Sequence, residues 1–319
     1  LTLCFNDLTK WRKPLKKDLL SLLDLEKGDF TYLLDRALQL KKRFNQGICE
    51  KTLTGKSLGL IFDKKSTRTR VAFETAMIQL GGTPIFMSTQ DTQISRNEPA
   101  RDTARVLSRY IDALAMRTFD HSLVEAFAQA SAIPVINALT DSFHPCQILS
   151  DIMTVMEKKG GYQGMKIVWV GDGNNVANSW VNAAAVLGFD LVVASPARYA
   201  VDETFLAKAL DRGSNHITFT DDPFEAVRDA DVIYTDVWAS MGQEEEQEKR
   251  EEIFKRFQVN RELVSMAKKD AMVMHCLPAH RGEEITEEIL EAPGAVFWDQ
   301  AENKRHMHKA ILETLIAGK

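Results

Sequence analysis

The sequence predicts an α/β protein made of two doubly wound parallel-sheet domains of similar size. Three observations carry that expectation. Short, continuous apolar runs, the mark of strands buried on both faces, alternate along most of the chain with amphipathic helical stretches. The 319 residues suffice for two domains of ordinary size, each with its own core. A new α/β pattern begins after Gly160-Gly161, which puts the domain boundary close to residue 145.

Composition narrows the class further. Hydrophobic residues make up 45% and charged residues 27%, ordinary for a soluble globular chain. A formal net charge of -5 gives no reason to expect nucleic acid as a partner, so basic clusters need a local explanation. Cys4, Cys49, Cys146 and Cys276 are scattered, with no CxxC pair and no metal-ligand spacing. That suggests free thiols in a reducing compartment and no structural metal. No apolar run approaches the length of a membrane span, and the start of the sequence lacks a signal-peptide pattern. No membrane partner is expected, and the expected location is the cytoplasm.

Taken in order, the first 50 residues read as helices, at 16–25 and 31–44, with solvated Lys/Arg faces and no assigned chemistry. The apolar run 58–62 reads as a buried strand. After it comes Ser66-Thr67-Arg68-Thr69-Arg70, and then Phe73, Ala76, Met77 and Leu80 on one helical face, stopped by Gly81-Gly82. Ser66 falls where an N-cap belongs, so unpaired N–H groups, two threonine hydroxyls and two arginines gather in one helical turn. A capped surface helix with solvated arginines is the plainer account of such a string. The strand–loop–helix setting favours an anion site suited to a phosphate dianion.

A strand at 83–87 leads into the polar stretch 88–98, too irregular for helix or strand and equally readable as a mobile or a functional loop. A helix at 103–110 and a strand at 113–117 follow, the strand ending in Arg117, where ligands bind in open α/β sheets. The strand 134–139 leads to His144-Pro145-Cys146-Gln147. A histidine after a strand is more often structural than catalytic. Beside Gln147 and the φ-fixing Pro145, it fits a neutral hydrogen-bond donor.

In the second half a helix at 147–159 is followed by strands at 166–170, 191–194, 216–220, 231–235, 271–275 and 295–298, with helices between. Gly171-Asp172-Gly173 resembles the start of a dinucleotide fingerprint. The third glycine and the ribose-binding acid are missing, which leaves a nucleotide-dependent oxidoreductase with weak support. Asp236 ends a strand and can bind an ammonium group; Ser240-Met241-Gly242 follows it, and then an acidic helix at 244–250. His275 and Cys276 invite reading as a base and nucleophile, but adjacent strand residues point to opposite faces.

Together these segments resemble the aspartate/ornithine carbamoyltransferase family, in order and over essentially the whole chain. They are Ser66 to Arg70, the loop with Gln93, Met116-Arg117-Thr118, His144 to Gln147, Gly171 to Asn175, Asp236 to Gly242, His275-Cys276-Leu277-Pro278 and Ala301-Glu302-Asn303. The resemblance implies transfer of a carbamoyl group from carbamoyl phosphate to the δ-amine of L-ornithine, giving L-citrulline and phosphate. It implies direct attack through a tetrahedral intermediate, with no cofactor and no metal. Ser66, Thr67, Arg68 and Thr69 would hold the phosphate, with Gln93 from a loop shared across a subunit interface. Arg117, His144 and the Thr69 hydroxyl would stabilise the carbonyl oxygen. Gln147, with the backbone carbonyls of Cys276 and Leu277, would fix the carbamoyl NH2. Asn175, Asp236, Ser240 and Met241 would hold ornithine, and Asp236 and Cys276 would orient the amine and handle its proton. The implied catalytic set is Arg68, Arg117, His144, Asp236 and Cys276.

The resemblance further implies a carbamoyl-phosphate domain at 1–145, joined by a returning C-terminal helix at 303–319, and an ornithine domain at 146–302. A homotrimer with shared active sites follows from it as well, as does domain closure over the amino acid. The ornithine branch is favoured because the loop 88–99 has no lysine and because Cys276 stands where the aspartate branch has proline. One position departs: the family pattern Ala-Glu-Asn-Arg reads here Ala301-Glu302-Asn303-Lys304, with Arg305 next. Arg305 is expected to take the family arginine's part in binding carbamoyl phosphate, with Lys304 as the alternative. A non-catalytic relative has only this departure in its favour. The Leu277-Pro278 bond is expected to be cis.

Overall fold

The computed structural model describes residues 17–88, 98–212, 216–239 and 247–318. The first half contains α1 (Lys27–Asn45), β1 (Ser57–Phe62), α2 (Thr67–Gln79), β2 (Thr83–Ser88), α3 (Ala100–Leu107), β3 (Ala113–Arg117), α4 (His121–Ala130) and β4 (Val135–Leu139). The strands form one parallel sheet in the order β2-β1-β3-β4. The chain goes outward from β1 to β2 and then returns past β1 to β3. The loops leaving β1 and β3 therefore diverge and open a crevice at the strands' carboxyl ends. Ser66 and Arg117 sit at that crevice.

A long helix, α5 (Pro145–Lys159), connects to the second half. There follow β5 (Lys166–Val170), α6 (Asn175–Leu187), β6 (Asp190–Ala194), α7 (Glu203–Leu210), β7 (Ile217–Thr220), α8 (Pro223–Ala226) and β8 (Val232–Thr235). The chain then runs through α9 (Gln247–Phe254), α10 (Arg261–Ser265), β9 (Met272–His275), α11 (Glu287–Leu290) and α12 (Phe297–Ala317). This second sheet is also parallel, in the order β7-β6-β5-β8-β9. Its switch point lies between β5 and β8, which places Gly171 to Asn175 opposite Asp236.

One apolar core spans both halves, from Leu58 and Ile136 of the first sheet through Ile148 and Ile152 of α5 to Ile167 and Trp169 of the second. Smaller clusters cover the sheets' outer faces, so each sheet is buried on both sides. The last helix, α12, packs on α1, α2 and α5. Arg36 in α1 donates to Glu313 at 2.5 Å, and Lys41 donates to Asn303 at 2.7 Å. The C-terminal helix thus returns to the first domain and carries residues 303 and 304 toward the α2 N-terminus.

Two expected elements differ. The stretch expected as a helix at 16–25 is, where described, a single bridge from Leu19 to Ile136 followed by a 3₁₀ turn, Leu22–Asp24. Backbone bonds from Leu19 N–H to the Val135 carbonyl (3.0 Å) and from Asn137 N–H to the Leu19 carbonyl (2.8 Å) hold it extended at the sheet edge. The strand expected at 295–298 is one bridge, Ala295 to Val273, because α12 begins at Phe297.

Candidate active site

The anion end is built on α2. Ser66 is its N-cap, in extended conformation, and its hydroxyl accepts the Thr69 N–H at 3.2 Å. That bond turns the remaining first-turn N–H groups outward with Thr67 and Arg68, both exposed, while Thr69 is buried. Arg117 closes β3. Burial first, and more weakly the neighbouring Arg68, bring its guanidinium down to about 10. Its Nε is buried without a hydrogen-bond partner. A donor in that state costs about 1–3 kcal/mol, which an oxyanion placed against it would relieve.

His144 occupies the N-cap position of α5, and Pro145 fills the first helical turn. Its backbone N–H donates to Ser179 Oγ of α6 at 2.7 Å, tying the two halves together. Burial, with Lys304 and Arg117 alongside, holds its imidazole well below the usual histidine range, so it stays neutral as expected of a hydrogen-bond donor.

Lys304, not Arg305, enters the site. Its buried ammonium donates to Thr69 Oγ1 at 3.1 Å and to Gln147 Oε1 at 2.8 Å. Arg305, the residue expected there, turns to the other face of α12: its guanidinium lies 4.5 Å from the Phe44 ring and donates to Glu302 at 3.3 Å. Successive residues of a helix are about 100° apart, so only one of the two can face α2 and α5. Burial and then Arg117 bring the Lys304 pKa down to about 8.

Behind Gln147 lies a buried polar hub. Asp151 Oδ1 accepts the side-chain amides of Gln147 (2.9 Å) and Gln300 (2.8 Å), and its Oδ2 accepts the Tyr234 hydroxyl at 2.8 Å. Gln300 Oε1 in turn accepts the His275 N–H at 3.1 Å. Burial pushes the Asp151 carboxyl up to about 7 against those donors.

On the second sheet, Asp236 follows β8 and is buried. Its two oxygens accept the Cys276 thiol at 2.9 Å and the Asn174 amide at 2.9 Å. Burial, and then the Asp236 charge, push the Cys276 thiol up, so it is neutral. Asn174 also N-caps α6. Asn175, expected at ornithine, donates to the Thr140 carbonyl at 2.6 Å and so spans the two halves. Gln93, Ser240 and Met241 lie outside the described residues.

His275 does not face Cys276. Its Nδ1 accepts the Leu277 N–H at 2.8 Å, which leaves the proton on Nε2 to donate to the buried Glu284 at 3.0 Å. The Leu277-Pro278 bond is cis, with Leu277 at φ 58. Asp236, His275 and Cys276 bring possible ligand atoms within 4.8 Å of one another, but both His275 ring nitrogens are engaged, so the trio reads as hydrogen-bonded rather than metal-binding. The Gly171-x-Gly173 turn has a packing cause: a Cβ on Gly173 would fall 2.4 Å from the backbone of Ala200 and of Val201.

Sequence reasoning missed Asp151, Asn174, Glu284 and Gln300. Asp151 lies one helical turn beyond Gln147, a spacing that could have flagged it, and Asn174 stands beside Asn175 in the Gly171 to Asn175 turn; Glu284 and Gln300 are joined to the site only by the fold.

Residues 17–157 match the model of the aspartate/ornithine carbamoyltransferase carbamoyl-P binding domain, and residues 163–315 that of the Asp/Orn binding domain. An ornithine carbamoyltransferase from Syntrophus aciditrophicus is 56% identical over 302 residues, covering 95% of this chain and 100% of that protein. One from Desulfotalea psychrophila is 58% identical over 294 residues, covering 91% and 97%. The solved ornithine carbamoyltransferase from Pyrococcus furiosus superposes with a TM-score of 0.92 at 50% identity, covering 97% of this chain and 100% of that one. With both domain models matched in order and the phosphate-type and amino-acid-type halves meeting at two sheet switch points, the chain belongs to the aspartate/ornithine carbamoyltransferase family.

Proposed function

We propose that this protein is an ornithine carbamoyltransferase, joining carbamoyl phosphate and L-ornithine into L-citrulline and phosphate in arginine biosynthesis. The observation that carries the residue assignment is the fixed orientation of Gln147: Asp151 holds its NH2 end, so only its oxygen faces the site, as an acceptor for the carbamoyl NH2. Ser66, Thr67, Arg68 and Thr69 bind the phosphate, with Lys304 in place of Arg305. Arg117, neutral His144 and the Thr69 hydroxyl meet the oxygen that gains charge in the tetrahedral intermediate, each worth a few kcal/mol, roughly 3. The free δ-amine is protonated at neutral pH, its pKa being about 10.4, and must shed a proton before it attacks. The Asp236–Cys276 pair is the group assigned to orient that amine and accept its proton. A neutral thiol hydrogen-bonded to a carboxylate is a poor nucleophile, which agrees with direct transfer and no covalent enzyme intermediate.

The domain division at residue 145, with 303–319 joined to the first domain and 146–302 binding ornithine, belongs to the same reading. So do Asn175, Ser240 and Met241 at ornithine and Gln93 at the phosphate. A homotrimer is supported by apolar side chains left exposed on and beside α2, β2 and α3: Val71, Ile78, Ile85, Val106 and Tyr110. No described helix is long and apolar enough to cross a membrane, and the free Cys49, Cys146 and Cys276 support a cytoplasmic location.

Citrulline formation that requires both substrates tests the reaction. The assignment of the two halves is tested by Arg117→Lys and Asp236→Asn. The first should act mainly on carbamoyl phosphate kinetics; the second should raise the KM for ornithine and lower kcat, because Asp236 is assigned both to orient the amine and to accept its proton. The opposite split between the two substrates would overturn the assignment.

A further inference from the structure

Lys304 replaces a group that cannot lose its proton by one that can. An arginine guanidinium stays charged in a protein, whereas a lysine amine, once neutral, is a nucleophile of the same class as ornithine's δ-amine. Lys304 Nζ hydrogen-bonds Thr69 Oγ1 and Gln147 Oε1, the groups assigned above to the carbamoyl oxygen and the carbamoyl NH2. Its ammonium is buried and is faced by Arg117, Asp151, Cys146, Cys276, His144 and His308. Its pKa is brought down to about 8 by burial, so the neutral amine is within reach near neutral pH.

We propose that Lys304 is a second carbamoyl acceptor, which carbamoyl phosphate held in the site without ornithine slowly carbamoylates. The inference rests on the carbamoyl-transfer reading above. Neutral Nζ adds to the carbonyl carbon and forms the new C–N bond. The tetrahedral adduct then breaks the carbon–oxygen bond to phosphate, and the surplus amine proton leaves with the phosphate. The products are a ureido group on residue 304 and inorganic phosphate, the balance of citrulline formation with no redox change. The bound dianion favours the ammonium form, so the step is slow beside turnover with ornithine. The ureido group is uncharged, so the anion site loses a cation and binds carbamoyl phosphate more weakly. The enzyme is therefore self-limiting when carbamoyl phosphate is present and ornithine is not.

Lys309 provides an internal control. It lies on the same helix, its pKa is also lowered to about 8 by burial, and it sits over Phe44 rather than at Thr69 and Gln147. Free cyanate, the breakdown product of carbamoyl phosphate, should not distinguish the two lysines as the bound substrate does.

The experiment incubates the purified enzyme with carbamoyl phosphate alone, with carbamoyl phosphate plus saturating inorganic phosphate, or with potassium cyanate. Peptide mass spectrometry then follows the mass of one carbamoyl group at Lys304 and Lys309, and citrulline formation is assayed on the same samples. The expected result is modification of Lys304 at least about tenfold faster than of Lys309 under carbamoyl phosphate, as proximity predicts. Inorganic phosphate should protect Lys304, the preference should vanish in cyanate, and activity should fall in step with the modification. Unmodified Lys304, equal rates at the two lysines, or no protection by phosphate would overturn the proposal while untreated enzyme still makes citrulline. Failure of untreated enzyme to make citrulline would overturn the carbamoyl-transfer reading itself.

Discussion

Lys304 and Gln147 share one hydrogen bond, 2.8 Å from Nζ to Oε1, and its direction propagates through the centre of the molecule. An ammonium can only donate, so the Gln147 oxygen faces it and the Gln147 NH2 faces Asp151. On the far side the His275 N–H can only donate to Gln300, which turns the Gln300 NH2 toward the same Asp151 oxygen. A carboxylate between two fixed donors links the α2 anion site with the loop after β9.

Asp151→Asn keeps the size and removes the charge. It weakens the acceptor shared by the Gln147 and Gln300 amides and so loosens the hold on the Gln147 NH2, at a cost of about 1.5–3 kcal/mol. The KM for carbamoyl phosphate is expected to rise roughly 10- to 100-fold, with a smaller change in the KM for ornithine. Tyr234→Phe, which leaves Oδ1 untouched, should have the smaller effect. Steady-state kinetics on both variants checks the order.

Lys304 gives carbamoyl phosphate binding a pH limit. Its pKa of about 8 in the folded protein lies below the ordinary lysine value of 10.5. kcat/KM for carbamoyl phosphate is therefore expected to fall as pH rises through about 8, and Lys304→Arg should carry the plateau to higher pH. The same group acts oppositely on stability. Between about 8 and 10.5 the unfolded chain binds more protons than the folded one, so this contribution to stability grows with pH across that window. Unfolding curves for the protein and for Lys304→Met over that range separate the two effects.

Glu284 braces the loop from beneath: one oxygen accepts both His275 Nε2–H at 3.0 Å and His280 N–H at 2.7 Å. Glu284→Ala leaves the buried His275 Nε2–H unpaired and releases the His280 N–H at the surface, and denaturant unfolding should show a loss of about 1–3 kcal/mol. kcat should fall as well, because His275 fixes the Leu277 N–H.

Gly173→Ala tests the reading of the glycine turn. The added methyl meets backbone rather than a side chain that can move, so a loss of about 1–3 kcal/mol is expected. Neither the protein nor this variant should bind a nicotinamide dinucleotide in a fluorescence titration.

The fold was legible where local pattern decides it. The apolar runs became the strands, Ser66 capped α2, and the switch-point logic placed Arg117 and Asp236 correctly at strand ends. The stretch at 16–25 misled because its helical period was overridden by pairing of Leu19 with a strand more than a hundred residues away. The choice between Lys304 and Arg305 depended on the phase of α12 against α2, which residue order alone does not fix. Gln300 and Glu284 carry no motif; only the tertiary fold brings them to His275.

The central claim is that a carbamoyl group passes to an amino acid with a cationic tail. Citrulline formation from carbamoyl phosphate with L-ornithine, compared with carbamoylation of L-aspartate, putrescine and N-acetylornithine side by side, tests it most directly. Rapid turnover is expected with L-ornithine alone. Preferred turnover of any of the other acceptors would contradict the assignment of Asp236 and Cys276 to ornithine, even with the Ser66 to Thr69 phosphate site intact.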